Sequence, residues 1–115
     1  MHEIGIANAI IEAGQTEAAR RKGSKLVRIG VRVGTLAGVD SDALRFAFTA
    51  LTQGTDLDAV HFEIQSCPRR NQCLDCACEF ESGIYSDPCP NCASQRTKLV
   101  GGEELDLAYV EVEEP

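Results

Sequence analysis

The sequence has little positive charge. It contains 11 lysine and arginine residues against 18 aspartate and glutamate residues, which gives a formal net charge of −7. A protein that binds nucleic-acid phosphates needs a surplus of cations on one face, and only two short basic clusters occur, at residues 20–22 and 69–70. The first falls where a helix is expected to end, a position at which the helix dipole favours cations. We therefore expect no nucleic acid among the partners.

Long apolar runs are also absent, and we expect no cleavable leader. No run approaches the roughly 18 residues needed to cross a bilayer, so we expect no membrane partner and a cytoplasmic location. Hydrophobic residues make up 43% of the chain and concentrate outside residues 67–98, which are too polar to bury a core. That segment is expected to need a metal in order to fold.

Four cysteines predict this metal site. They form two C-x-x-C pairs separated by twelve residues. Two residues between thiolates allow both sulfurs of a tight turn, or knuckle, to bind one metal, and two knuckles supply a closed tetrahedral shell. Because no coordination position remains for water, we expect a structural Zn(II) rather than a catalytic one. The predicted ligands are Cys73, Cys76, Cys89 and Cys92.

Other uses of the cysteines fit less well. A disulfide framework suits secreted chains with small cores, and a redox C-x-x-C normally occurs once, at the start of a helix. Cys67 and Cys78 lie outside the quartet and are expected to be reduced bystanders, although Cys78 could replace Cys76 as a ligand. Short strands are predicted at 78–80 and 84–86, paired as a hairpin around residues 82–83.

Hydrophobic periodicity predicts the remaining elements. Apolar residues at helical spacing indicate a helix over 4–22 and a second, capped by Asp40 or Ser41, that ends at Gly54. Alternation indicates strands over 25–34, with Val27 among the inward residues, over 59–65 and over 104–113, the last with a bulge near Ala108. The predicted fold is α+β: a three-stranded sheet packed with two helices, plus an inserted four-cysteine zinc-ribbon domain. The domains would be 1–66 with 99–115, and 67–98.

The amino terminus is a second candidate metal site. In Met1-His2-Glu3, the free amine, the His2 amide nitrogen and the His2 ring nitrogen can bind one metal in fused chelate rings, with Glu3 as a further donor through its amide or carboxylate. Planar nitrogen coordination suits Ni(II) or Cu(II), and Ni(II) is favoured in a reducing compartment. Binding should weaken on acidification, because the His2 ring must be neutral and the His2 amide must lose its proton. Taken alone, the tripeptide is also compatible with a solvated histidine.

Together these motifs resemble the HypA/HybF family of hydrogenase-maturation nickel chaperones. The resemblance covers essentially the full length and also includes residues 31–39 and 102–105. It implies a protein that binds nickel through His2 with Met1 and Glu3, holds zinc with the four cysteines, and delivers Ni(II) to the large subunit of a [NiFe] hydrogenase. The implied partners are a HypB-type GTPase and, where the family serves urease maturation, urease accessory proteins.

The alternative interpretation is a zinc-ribbon module that binds protein or nucleic acid. An enzyme is not predicted, because no nucleophile is paired with a base and the zinc has no open position. His61 is expected to be an ordinary surface histidine on a strand. We also expect that changes at the zinc ribbon alter nickel affinity, since both ends of the ribbon join the sheet that supports the first helix.

Overall fold

The computed structural model of the chain describes residues 2–115, so predictions that involve Met1 lie outside the described part. The elements, in chain order, are α1 (Glu3–Ala18), β1 (Lys25–Gly34), α2 (Ser41–Thr52), β2 (His61–Cys67), β3 (Arg69–Cys73), β4 (Glu79–Ser82), β5 (Thr97–Gly101) and β6 (Leu105–Glu113).

The first sheet has the order β2-β1-β6 and carries both helices. β1 is parallel to β2, to which α2 connects it, and antiparallel to β6. The core lies between this sheet and the helices because the alternating residues of β1 meet the apolar stripes of α1 and α2. Its buried members are Ala7, Ile10, Ile11, Ile29, Val31, Val33, Leu44, Ala47 and Phe48. The predicted α+β architecture of a three-stranded sheet with two helices is confirmed.

α2 has a capped start, and α1 ends earlier than predicted. The carboxylate of Asp40 accepts hydrogen bonds from the backbone N–H groups of Asp42 (2.9 Å) and Ala43 (3.2 Å), so Asp40 caps α2. α1 ends at Ala18, four residues before the predicted end, because the N–H groups of Arg20 and Arg21 donate to carbonyls only three residues back, at Glu17 (3.2 Å) and Ala18 (3.1 Å), and so form turns. No helix in residues 2–115 is long and apolar enough to cross a membrane.

The first sheet has two irregularities, one of which was predicted. Gly30 lies opposite Tyr109 and the next pair skips Ala108, which confirms the bulge in β6. A second shift skips Val27 in β1, and Leu26 is the residue that packs against the core. The prediction that Val27 points inward is therefore wrong, because the extra residue reverses the alternation at this end of the strand.

The second sheet has the order β4-β3-β5, with both outer strands antiparallel to β3. The sequence predicted β4 but neither β3 nor β5. The predicted strand at 84–86 is not present, because the Ser82 hydroxyl donates to the Tyr85 carbonyl (2.9 Å) and Arg69 donates to the Ile84 carbonyl (3.2 Å), so the segment forms a loop. The ribbon is thus a three-stranded sheet rather than a hairpin closed at Ser82-Gly83.

The two sheets meet at the loop that follows β1. The N–H groups of Gly34, Thr35 and Leu36 donate to the carbonyls of Glu104 (2.7 Å), Cys67 (2.9 Å) and Gly102 (2.8 Å). A Cβ on Gly34 would lie 2.0 Å from the Gly102 carbonyl oxygen, so only glycine allows this approach. Both connections between the sheets are therefore hydrogen-bonded to one loop, which we call the junction loop (residues 34–38).

Candidate metal sites

The structure brings the four predicted cysteines together. All four sulfurs lie within 4.8 Å of one another, with Sγ–Sγ distances of 3.6 Å for Cys73–Cys92 and for Cys76–Cys89. A tetrahedral zinc with bonds of about 2.3 Å would set its sulfurs about 3.8 Å apart. The four-cysteine cluster therefore has the donor atoms and the spacing that Zn(II) requires.

Each knuckle is closed by the same local structure. In the first (residues 73–76), the Ala77 N–H donates to the Cys73 carbonyl (3.0 Å); in the second (residues 89–92), the Ala93 N–H donates to the Cys89 carbonyl (2.8 Å). These bonds require a left-handed residue after the last cysteine, and the two alanines have φ of +65° and +64°. The pair of C-x-x-C-Ala sequences thus folds into two copies of one turn.

Backbone N–H groups point at the sulfur of the first cysteine in each knuckle, which we call the inner sulfur. Cys73 Sγ accepts from the amides of Asp75 (3.4 Å) and Cys76 (3.5 Å), and Cys89 Sγ accepts from the amide of Asn91 (3.4 Å). The bond from the Cys76 amide is the main cause of a lowered pKa of the Cys73 thiol. The turns thereby stabilise the thiolate form that a metal binds.

The outer sulfurs, which belong to the second cysteine of each knuckle, have opposite pKa shifts. The side-chain amide of Asn91 donates to Cys76 Sγ (3.5 Å) and lowers the pKa of Cys76 to about 6. The Ser94 N–H stabilises the Cys92 thiolate, but the adjacent Cys73 sulfur and desolvation outweigh it and raise the pKa of Cys92 to about 12. Like charges this close cannot all ionise without compensation, which a bound cation would supply.

The other two cysteines do not join the cluster. Cys67 Sγ lies 3.8 Å from the Gln65 carbonyl at the end of β2, and Cys78 Sγ lies 3.6 Å from the Glu79 carbonyl. Cys76, rather than Cys78, supplies the second sulfur of the first knuckle. All six cysteines are free thiols, which disfavours the disulfide interpretation.

Sequence reasoning missed two polar residues that bridge the knuckles. Asp75 accepts hydrogen bonds from Ser94 and from Arg96 (2.6 Å), both of which follow the second knuckle, while Asn91 in the second knuckle donates to Cys76 in the first. The available signal was their position: each lies between the two cysteines of a C-x-x-C pair, where a side chain can reach across the cluster.

The predicted nickel residues lie at the start of α1. His2 immediately precedes the helix and is exposed, and its imidazole makes no hydrogen bond within residues 2–115. The half-buried Glu3 is the first helical residue, and its carboxylate accepts from the Asp40 N–H (3.4 Å). Beside them is an open groove whose wall includes the side chains of Ile4 and Phe46, which are 52% and 72% exposed. His61 is exposed on β2, as expected.

The second basic cluster is used within the ribbon. Arg69 donates to the Asn71 side chain (2.9 Å) as well as to the loop at Ile84, and Arg70 pairs with Glu79. These arginines are thus committed to local contacts, which disfavours the nucleic-acid-binding alternative.

Comparison with known proteins decides the family. A family model described as "Hydrogenase/urease nickel incorporation, metallochaperone, hypA" matches residues 1–112. The chain belongs to the HypA family. This membership confirms the resemblance inferred from the motifs, and the family description confirms the prediction of a metal-handling protein rather than an enzyme.

Two HypA relatives show how far the similarity extends. The chain is 34% identical over 113 residues to a protein of Acidithiobacillus ferrooxidans named "Hydrogenase maturation factor HypA", and 35% identical over 113 residues to a Geobacter metallireducens protein of the same name. In both cases the match covers 98% of this chain and 100% of the relative.

Solved HypA structures share the fold. The chain matches the "Solution structure of HypA protein" with a TM-score of 0.70 and 21% identity, covering 98% of this chain and 97% of that one. It matches the "Solution structure of the Ni metallochaperone HypA from Helicobacter pylori" with a TM-score of 0.66 and 20% identity, and both chains are fully covered. The α+β fold is therefore that of the solved HypA proteins.

Proposed function

We propose that this HypA protein is a nickel metallochaperone that binds Ni(II) at its amino terminus and delivers it for maturation of a [NiFe] hydrogenase. The proposal is carried by one observation: the family match spans the Met1-His2-Glu3 start, and the described part of that start is an exposed helix N-terminus. The zinc-ribbon module without nickel chemistry, the alternative interpretation, accounts for the four cysteines but not for this end.

The start of α1 suits a labile nickel site. The first N–H groups of a helix have no intrahelical acceptor, so the His2 amide is available for deprotonation onto a metal. The exposed ring supplies a second nitrogen and the terminal amine of Met1 a third. Glu3 is a further donor, through its amide or its carboxylate. Since His2 is exposed, Ni(II) can be loaded and released without opening the core.

The four-cysteine cluster is assigned to structural Zn(II). Cys73, Cys76, Cys89 and Cys92 would hold the ion, which when bound neutralises the clustered thiolates and fixes the two knuckles. The support is the spacing of the sulfurs, with all four within 4.8 Å. No position is left for water, so the cluster would take no part in nickel delivery chemistry.

The proposed partners follow from the family. Delivery would involve a HypB-type GTPase and the large subunit of the hydrogenase, with urease accessory proteins as further recipients where urease is also matured. These exchanges would take place in the cytoplasm, where thiols remain reduced.

Calorimetry with Ni(II) on untagged, zinc-loaded protein tests the proposal. We expect one nickel site, which is lost in His2→Ala and retained in the matched surface variant His61→Ala, while zinc stays bound in all three proteins. An X-ray absorption spectrum of the nickel-loaded protein should show nitrogen and oxygen neighbours without sulfur. Nickel bound among the cysteine sulfurs, or unchanged in His2→Ala, would refute the proposed division between the sites.

A further inference from the structure

We infer that Asp75 and Asn91 fix the angle between the two knuckles and thereby make the four-cysteine cluster selective for Zn(II) over Ni(II). The inference rests on the proposed function, in which the same protein holds both metals. A chaperone for nickel that also carries four thiolates needs a reason for nickel not to settle among them.

The difference between the two metals is one of geometry. Zn(II) takes four thiolates as a tetrahedron, whereas Ni(II) favours square-planar or tetragonal sites. In a tetrahedral site built from two sulfur pairs, the plane through the metal and one pair is perpendicular to the plane through the metal and the other pair. In a planar site the two planes coincide. Converting one into the other therefore requires rotating one knuckle against its partner.

The bonds inside a knuckle do not control this rotation. The Ala77 to Cys73 and Ala93 to Cys89 bonds, and the amides that point at the inner sulfurs, each begin and end within a single turn or the residue after it. They set the separation of two sulfurs and would be the same in either geometry. Only contacts that cross between the knuckles fix the angle.

Two side chains make such contacts, in opposite directions. Asp75 leaves the first knuckle to accept from Ser94 and from Arg96 Nη1 (2.6 Å), beyond the second. Asn91 leaves the second knuckle and donates to Cys76 Sγ in the first (3.5 Å). A backbone bond from the Leu74 N–H to the Arg96 carbonyl (2.8 Å) runs beside the Asp75 contact. Fixed at both sides, the knuckles cannot rotate without breaking a charge-assisted bond.

The sulfur positions agree with a tetrahedral setting. With bonds of about 2.3 Å, a square plane would place neighbouring sulfurs about 3.3 Å apart and opposite sulfurs about 4.6 Å apart, against about 3.8 Å for every pair in a tetrahedron. The Cys73–Cys92 and Cys76–Cys89 separations, which both run between the knuckles, are 3.6 Å, closer to the tetrahedral value.

Metal competition tests the inference in proteins that all carry His2→Ala, which removes the proposed terminal nickel site. The variants are Asp75→Ala, Asn91→Ala, the double substitution and the milder Asp75→Asn, which keeps the shape of the side chain. Asp106→Ala is the matched control, because Asp106 also pairs with an arginine (Arg32, 2.6 Å) but lies in the first sheet. Zn(II) and Ni(II) are titrated without oxygen, and Co(II) absorption reports the coordination geometry.

The double variant should lose about tenfold or more of its preference for Zn(II) over Ni(II), in line with the effect on metal affinity of residues that hydrogen-bond to the ligands. Its Co(II) absorption should lose intensity as the site departs from a tetrahedron. Asp75→Asn should fall between, and Asp106→Ala should match the parent. Zinc uptake with an unchanged preference and spectrum in Asp75→Asn and the double variant would overturn this inference alone. Failure of the parent to bind zinc through its cysteines would overturn the proposed function as well.

Discussion

Single residues hold unfavourable backbone conformations where the cysteine cluster needs them. Ala77 and Ala93 have φ of +65° and +64°, in the left-handed region that costs an L-residue about 1–2 kcal/mol. Glycine adopts this region without a Cβ clash, but it also gains freedom in the unfolded chain, which offsets part of the benefit.

Replacing these alanines should therefore stabilise the ribbon. We expect Ala77→Gly and Ala93→Gly each to raise the free energy of unfolding of the zinc-loaded protein by up to about 1 kcal/mol, measured by chemical denaturation. Ala9→Gly, inside α1, is the control and should lower it by about 1 kcal/mol. A loss of stability in both ribbon variants would show that the alanine methyl groups make contacts worth more than the backbone strain.

Gly30 shows the opposite requirement, for space. A Cβ at this position would lie 2.0 Å from the ring of Tyr109, which covers the strand on the face away from the helices. Overpacking of this kind typically costs about 1–3 kcal/mol.

We expect Gly30→Ala to lower the free energy of unfolding by that amount, and the cost to shrink when Tyr109→Ala is also present, because the ring is then gone. Thermal or urea unfolding of the two single variants and the double variant gives the coupling. Strictly additive effects would mean that the ring moves aside freely and that the close approach is not what selects glycine.

At the scale of elements, the two sheets are held together by different means. Between the first sheet and the helices lie nine buried apolar residues of the described chain, three from β1 and six from α1 and α2. In the second sheet, the fully buried side chains are Asn71 and Cys73, so a polar hydrogen-bonded residue and a cysteine of the four-cysteine cluster take the place of a core. Asn71 accepts from Arg69 and donates to Ser82 (2.9 Å), which satisfies it but supplies little hydrophobic stabilisation.

Metal removal should consequently affect the sheets unequally. After chelation of zinc, we expect amide hydrogens in β3, β4 and β5 to exchange rapidly, while those in β1 and β6 remain protected, because only the second sheet depends on the metal for its interior. Hydrogen exchange read by mass spectrometry checks this. Equal loss of protection in both sheets would contradict the predicted division into an α/β domain and a zinc-ribbon domain.

The same contrast explains what the sequence could predict. β1 and α2 were found because Ile29, Val31, Val33 and the stripe of α2 follow the periods of a strand and a helix, and the cysteine cluster was found because C-x-x-C spacing reflects metal geometry. A strand such as β3, read Arg-Arg-Asn-Gln-Cys, has no alternation of apolar and polar residues.

The errors have local physical causes. Ile84 and Tyr85 look like strand residues, yet they are 65% and 82% exposed in a loop fixed by the hydroxyl of Ser82, a side-chain bond that no period reveals. The inward assignment of Val27 failed because a single extra residue in β1 reverses the pattern, and only the pairing with β6 shows it. The contacts of cross-knuckle residues such as Asp75 are tertiary, and the sequence signals them only through the position of these residues inside a C-x-x-C pair.

At the scale of the whole molecule, the two candidate metal sites are connected through the junction loop. Its residues Thr35 and Leu36 donate to the carbonyls of Cys67 and Gly102, where the chain enters and leaves the second sheet. The loop then leads to Asp40, whose N–H donates to the carboxylate of Glu3 at the start of α1 (3.4 Å). A disturbance of the ribbon can therefore reach the proposed nickel end through three hydrogen bonds and one short loop.

This path predicts a coupling between the two metals. In Cys73→Ser the ribbon would lose a proposed zinc ligand, the carbonyls at Cys67 and Gly102 would lose their fixed positions, and Asp40 should hold Glu3 less well. We expect Ni(II) affinity at the amino terminus to fall by about fivefold or more, the lower range for allosteric coupling, measured by calorimetry on untagged protein. Because binding free energies are reciprocal, nickel should raise the zinc affinity of the parent protein by strengthening the same contacts. The control Cys67→Ser removes a thiol outside the cluster and leaves the backbone carbonyl in place, so its nickel affinity should equal that of the parent.

If Cys73→Ser binds nickel as tightly as the parent and supports hydrogenase activation equally well, the ribbon and the nickel site are independent and the junction loop serves only to join the sheets.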